Sequence, residues 1–305
     1  MYSLGQVRRG LRRTLSNPAY LGRELNRLYH RRGYREAFNR DGVDVMTEDW
    51  DTLLILDACR YDDFEATHDL PGELHRRESR GSHTIEFLHG TVAGRDLLDT
   101  VYVTASPQLH AKGIDAAFHA VENVWDGDDW DETAGTVRPE TMADRVLAAV
   151  KRYSHKRVVG HFVQPHYPFL GEDDPQGGQL TDASGPDIWG RLMRGEAEAT
   201  PGAVRAAYRR NLETVLPAVG RLLETLAGRT VVTADHGNMF GERSWPLPVR
   251  EWGHPPGVHT PELVDVPWLV HEDGRRETHP DPPIEPDAAD EDAVRRRLER
   301  LGYQS

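Results

Sequence analysis

Two apolar runs in this chain stop abruptly at acids. "DTLLILDA" ends at Asp57, and "RTVVTADHGNMFGER" runs from Arg229 through Thr233 before reaching Asp235 and His236. Two carboxylates and an imidazole form a hard-to-borderline donor set suited to Mg²⁺, Mn²⁺, Ca²⁺ or Zn²⁺. Two further imidazoles stand beside prolines that restrict the backbone, His166 in "QPHYP" and His254 in "GHPP". Each has a plain reading when taken alone: an Asp at a strand end often caps the following helix, and a His beside Pro is usually a loop residue. Several of them at the ends of neighbouring strands would be a site.

The elements that would carry them alternate. Strands are expected at 51–58, 99–106 ("DTVYVTAS"), 156–166 ("KRVVGHFVQPH"), 229–235 and 264–271 ("VDVPWLVH"). Amphipathic helices are expected at 138–153 and over the long stretch 200–228. Such alternation predicts an α/β fold with a mostly parallel central sheet and helices on both faces. Ligands of such sheets bind beyond the carboxyl ends of the strands, where Asp57, His166, Asp235 and His236 would emerge. The long, polar, Gly-rich connection 171–199 has the character of a lid or substrate loop.

The 305 residues suffice for one large domain, and the composition, 38% hydrophobic and 29% charged, is that of a soluble globular chain. No apolar run reaches the length of a membrane span. The N-terminus lacks an apolar signal core, and Cys59, the single cysteine, suits a reducing cytoplasm. The net charge of −13 is uneven: the first forty residues hold ten Arg and two acids, a balance of +8 that leaves about −21 on the remainder. With only three lysines (Lys112, Lys151, Lys156), the acidic body resembles a salt-adapted, haloarchaeal surface, although a GC-rich genome would explain the Arg bias equally well. Residues 1–45 read as basic amphipathic helix with Leu21, Leu25, Leu28 and Tyr29 on one stripe. That segment suits either packing on the acidic body or contact with an anionic membrane surface. No base-reading motif accompanies it, so no nucleic-acid partner is expected. Residues 46–275 form the main domain, and 276–305 a Pro- and acid-rich linker with a short helix opening near Asp287.

One stretch is familiar. "VVTADHGNMFGER…WGHPPGVHTPELVDVPWLV" resembles the C-terminal signature of the alkaline phosphatase superfamily, in its sulfatase-like branch. "HFVQPHYPFLG" is similar to that branch's Pro-His-x-Pro loop, and "LLILDACRYDDF" to its first strand. The resemblance covers roughly 50–271. It implies an alkaline-phosphatase-like sandwich in which Asp57, Asp235 and His236 bind a catalytic metal, with His166, His254 and Arg60 near the transferred group. The family nucleophile stands at a helix start, and the matching stretch is "SRGSHTIEFLHG", residues 79–90, with Thr84 the first choice and Ser82 the second. A metal-bound hydroxyl at a helix N-terminus would be activated and would face an anionic substrate.

Two departures narrow the reading. Formylglycine sulfatases require a cysteine in the nucleophile segment, and here Cys59 lies beside the presumed metal aspartate instead. Two-metal members carry an Asp-x-x-x-His pair that is missing from 156–172, so one ion is expected rather than two, with His259 as a further candidate ligand. The resemblance implies a metal-dependent hydrolase or transferase of phosphate or related oxyanion esters, on small-molecule, glycan- or lipid-linked substrates. A sulfatase or phosphonate hydrolase without formylglycine, and a non-catalytic metal-binding interaction module, remain as alternatives.

Overall fold

The computed structural model of the protein describes residues 18–170, 188–196, 200–284 and 290–303. Most of the 171–199 connection, the start of the basic segment and Asp287 lie outside these ranges. The helices are α1 (Pro18–His30), α2 (Tyr61–Thr67), α3 (Thr84–Thr91), α4 (Gln108–Ala111), α5 (Pro139–Arg152), α6 (Ile188–Arg194), α7 (Pro201–Thr225), α8 (Pro261–Val264) and α9 (Glu291–Arg300). The strands are β1 (Thr52–Leu56), β2 (Glu73–Glu78), β3 (Asp96–Thr104), β4 (Ala117–Asn123), β5 (Trp130–Asp131), β6 (Thr136–Val137), β7 (Arg157–Phe162), β8 (Gly228–Thr233), β9 (Met239–Arg243), β10 (Arg250–Gly253) and β11 (Asp265–Asp273).

Seven strands form one sheet in the order β2-β11-β8-β1-β7-β3-β4. Strands β8, β1, β7, β3 and β4 run parallel, and β11 runs antiparallel to both its neighbours. The expected α/β class with a mostly parallel sheet is therefore what forms. β1 is wholly buried because it sits in the middle of this sheet, which explains its unbroken apolar run. Alternate residues of the strands feed opposite faces. Leu54, Leu56, Val158 and Val232 pack with α5, α7 and α9, whereas Leu53, Ile55, Val159 and Val231 pack with Phe87 and Leu88 of α3.

Local signals set the helix starts. Pro139 and Pro201 occupy the first turns of α5 and α7, where a missing N–H is harmless, and the Thr200 hydroxyl accepts from Ala203 N at 3.2 Å. The C-terminal helix spans Glu291–Arg300, with the Asp290 carboxylate capping it. It does not stand apart: Val294, Leu298 and Leu301 join the main core cluster. The described part of the basic segment, α1, lies against the body through Asn26 and Arg23. Among the described residues, no helix is long and apolar enough to cross a membrane.

Candidate metal centre

Four of the groups come from the carboxyl ends of three adjacent central strands. Asp57 follows β1, Asp235 and His236 follow β8, and His161 is the penultimate residue of β7, in register with Ile55 and Thr104. Parallel register makes these positions neighbours, so residues about 70 to 180 apart in sequence meet by sheet order alone. Thr84 arrives from one face as the first residue of α3.

The chain bends sharply after β1. Ala58 has φ +62°, a left-handed conformation that an alanine adopts only under constraint. Two bonds hold it there: its N–H donates to Asp235 Oδ1 at 3.1 Å, and its carbonyl accepts from the Tyr208 hydroxyl at 2.8 Å. The second turn depends on Gly237. A Cβ at that position would lie 2.2 Å from the Glu262 carbonyl oxygen, so the Asp-His-Gly sequence needs its glycine for close approach of α8. Gly237→Ala is expected to destabilise the protein by about 1–3 kcal/mol and to weaken metal binding, checked by thermal melting with and without divalent ion.

The imidazoles are oriented. His236 Nδ1–H donates to the Gly237 carbonyl at 2.7 Å, which turns Nε2 toward Thr84 Oγ1 at 3.3 Å and toward Asp57 Oδ1 and Asp235 Oδ2, each at 3.4 Å. His166 Nδ1–H donates to the Tyr167 carbonyl at 2.6 Å. The Tyr102 hydroxyl lies 2.7 Å from His161 Nδ1, and His161 Nε2 lies 3.8 Å from Asp235 Oδ2. Each such backing partner fixes a ring and exposes its second nitrogen.

The donor set fits a divalent cation on an observation independent of any likeness. Asp57 Oδ1, Asp235 Oδ2, His161 Nε2 and His166 Nε2 are buried and have no hydrogen-bond partner. Buried polar atoms are rarely left unpaired. Asp57, His161 and Asp235 each offer a ligand atom, all within 4.8 Å of one another. Burial, then the neighbouring Asp235 charge, pushes the Asp57 carboxyl well above its ordinary range, and burial raises Asp235 as well. Burial also holds the imidazoles neutral, His236 at about 3 and His166 at about 4. Two acids that resist ionising side by side, next to imidazoles with free lone pairs, are what a cation would relieve.

The other sequence candidates are placed as follows. His254 stands by the cluster, its ring 4.7 Å from that of His236 and 4.8 Å from that of His166. Ser82 does not join it: its hydroxyl donates to Glu86 Oε2 at 2.8 Å and accepts from Gly257 N at 2.8 Å. His259 is also engaged elsewhere, with Nε2 3.0 Å from Glu86 Oε1. Burial alone would raise Glu86, yet the bond to His259 and the His83 imidazole 3.6 Å away hold its carboxyl far below the usual range. His259 thus braces the turn before α3 instead of meeting the Asp57 group. Arg60 points its guanidinium into Asp62 at 2.8 Å and Glu242 at 2.6 Å, lining a cleft with Tyr61, Arg76 and Glu262. Cys59 is fully buried, and burial pushes its thiol well up, as for an inert packing residue.

Two residues of the centre escape sequence reasoning. His161 lies inside an apolar strand, and a polar residue at a fully buried strand position was the signal available. Tyr303 follows α9, donates its hydroxyl to Asp57 Oδ2 at 3.0 Å and stacks on His166 at 5.1 Å. Nothing in a linker-like tail announces such a contact. With Oδ2 engaged, Asp57 presents Oδ1 inward. Tyr303→Phe should lower divalent-ion affinity by roughly tenfold, the lower end of outer-partner effects, read by competition with a chelator. Unchanged affinity would reduce Tyr303 to packing.

No protein-family model matches the chain, and no curated protein matches it in sequence. The structure is similar to the integral membrane protein lipooligosaccharide phosphoethanolamine transferase A from Neisseria meningitidis, with TM-score 0.48 and 11% identity, over 73% of this chain and 47% of that one. It is similar to the soluble domain of that transferase, with TM-score 0.49 and 11% identity, over 72% and 75% of the two chains. A protein in the alkaline phosphatase superfamily from Vibrio parahaemolyticus gives TM-score 0.46 and 10% identity, over 80% and 65%. The chain spans about half the length of the integral membrane transferase.

Proposed function

We propose that the protein is a metal-dependent enzyme of oxyanion esters, a hydrolase or a transferase to an alcohol, with Thr84 as nucleophile. One observation carries this reading: the only hydroxyl at the start of α3 that faces the unpartnered Asp57, His161 and Asp235 atoms belongs to Thr84, 3.3 Å from His236 Nε2. A divalent ion held by Asp57, Asp235 and either His161 or His236 would supply Lewis-acid stabilisation of the negative charge on the ester.

The chain's own groups do the rest. α3 directs its N-terminal end at the centre, which favours an anion there. Thr84 Oγ1 forms the bond to the central phosphorus or sulfur, and its proton has an acceptor in His236 Nε2 or the carboxylates. The bond to the leaving oxygen breaks, and His166 or His254 supplies that oxygen with a proton. Both imidazoles are neutral in the free protein because burial holds them down, so they become donors only when an anionic ester shares the cavity. Water or an alcohol then attacks the Thr84 ester, giving its proton to the histidine that protonated the leaving oxygen. As the bond from Thr84 Oγ1 to phosphorus or sulfur breaks, the group that took the Thr84 proton returns it to the hydroxyl.

Charge refines the substrate class. No Arg or Lys among the described residues bonds to Asp57, Thr84, His161, Asp235 or His236, since Arg60 is spent on Asp62 and Glu242. A site with so little fixed positive charge favours a monoanion, a phosphodiester or sulfate ester, over a phosphomonoester dianion. The test is turnover of aryl phosphodiester, phosphomonoester and sulfate by the full chain, with chelator and with Mn²⁺, Zn²⁺, Mg²⁺ or Ca²⁺ restored. Metal-dependent turnover with the monoanionic esters ahead is expected. No turnover of any ester by protein that holds stoichiometric metal would sink the enzyme reading and leave a metal-binding module.

A further inference from the structure

The amphipathic helix α1 is docked in reverse. Its polar side faces the protein: Asn26 is fully buried, donating to Ser244 Oγ at 2.9 Å and to the Leu247 carbonyl at 2.8 Å. Arg23 Nε donates to the buried Glu251 at 2.8 Å, and Arg27 Nε donates to the Pro256 carbonyl at 2.7 Å. Gly22 has no side chain where Val249 comes closest, so a Cβ there would lie 2.4 Å from the valine methyl. The apolar stripe therefore points outward. Leu21, Leu25, Leu28 and Tyr29, with Trp245 and Leu247 of the adjoining β9–β10 connection, are between 38% and 58% exposed. Tyr29 and Trp245 meet edge to face at 5.0 Å, and Asn26 ties Leu247 to the helix, so the six side chains form one patch.

A soluble helix normally buries its leucines and wets its polar side. We propose that this patch is a docking surface for an anionic lipid membrane. Charge complementarity selects the occupant: the patch lies in a basic stretch of an acidic chain, residues 18–40 holding six Arg against two Glu for a balance of +4, and Arg32 and Arg40, which share Glu36, are mostly exposed. Leucines flanked by Tyr, Trp and arginines are the composition of an interfacial helix, with aromatic rings at headgroup depth and cations against lipid phosphates. Six side chains also fall well short of the roughly 20–30 residues a side of a stable protein–protein interface. The surface lies near the centre. The His30 ring lies 5.6 Å from that of His259, which bonds Glu86 in the first turn of α3, and β10 runs from the patch to His254. Docking would present the Thr84 end of the protein to esters carried at the lipid surface, a consequence that rests on the proposed function, whereas docking itself does not.

The test is co-sedimentation of the full chain with vesicles of phosphatidylcholine alone and of phosphatidylcholine with phosphatidylglycerol, at low and high salt. Binding at least about tenfold stronger to the anionic vesicles is expected, weakening with salt. The double variant Leu25→Asp and Leu28→Asp, and separately Trp245→Ser, should each lower it by roughly tenfold or more. These side chains are exposed, so the melting temperature and the turnover of a soluble aryl ester should stay unchanged. Equal or absent binding to the two vesicle types, or full binding by the variants, overturns the proposal. Concentration-dependent dimers in the ultracentrifuge that the same substitutions dissolve, with no vesicle binding, would make the patch an interface between two copies. Because the vesicle arm needs no turnover, its failure is separate from a failure of the enzyme reading.

Discussion

Thr84→Ala is expected to abolish ester turnover while leaving the metal bound. The hydroxyl sits at the first residue of α3, 3.3 Å from His236 Nε2, and the nearest other hydroxyl of that segment, on Ser82, is tied to Glu86 and Gly257. No neighbouring group can replace it, so the loss should reach about 10³–10⁵ in kcat, the scale seen when one member of a nucleophilic constellation is removed. Thr84→Ser keeps the oxygen and should retain most of the rate. Ser82→Ala tests the alternative directly: it should loosen the turn before α3 and lower stability, with a far smaller effect on turnover. The decisive measurement is kcat for the three variants beside metal content per chain. Full activity in Thr84→Ala with bound metal would remove Thr84 from the mechanism.

Asp57→Asn should produce opposite effects on the metal and on the metal-free fold. Replacing one of the two central carboxylates removes a principal ligand, and divalent-ion affinity should fall by at least about a hundredfold. In chelator, the same variant should be more stable than the parent by roughly 1–4 kcal/mol, because it removes one of two like groups buried against each other. The sign follows from the raised carboxyl. An acid whose folded pKa lies above its unfolded value costs stability progressively as pH rises from the unfolded pKa to the folded one; the penalty is complete above the folded pKa and absent below the ordinary carboxyl range. The gap between Asn variant and parent therefore widens as pH rises and closes on acidification toward the ordinary carboxyl range. Adding metal reverses the ranking, since an ion at a hundred times its Kd stabilises the parent by about 2.7 kcal/mol and the variant hardly at all. Melting curves with and without chelator, at several pH values, check all three points. A variant less stable than the parent in chelator would mean that Asp57 is held by the protein and needs no cation.

Much of the fold was legible in the chain. The runs that become β1, β3, β7, β8 and β11 are apolar because both faces of a central sheet are covered, and α5 and α7 announce themselves by period and by Pro at their first turns. β2 was not legible: its sequence Glu73–Glu78 is nearly all polar and exposed, and it is a strand because it pairs with β11 at the sheet edge. β4 and the β9–β10 hairpin carry only short apolar patches (Phe118 and Ala120; Met239, Phe240 and Trp252), and pairing with β3 and with each other makes them strands.

The candidate centre divides along the same line. Residue type and position single out Asp57, Asp235 and His236, because acids and an imidazole at the ends of buried strands stand out against apolar neighbours, whereas Thr84 enters through the family resemblance, with Ser82 beside it. Only the tertiary structure decided that Thr84 and not Ser82 faces them, that His259 belongs to Glu86, and that Arg60 is absorbed by Asp62 and Glu242. It also brought in His161 by strand register and Tyr303 by the return of α9 onto the core. The amphipathic stripe of α1 was plain in the sequence, but its direction was not. A periodic pattern states that a helix has two faces. Which face meets the protein depends on Glu251, Ser244 and Val249 more than two hundred residues away, and on a glycine that lets the polar face come close.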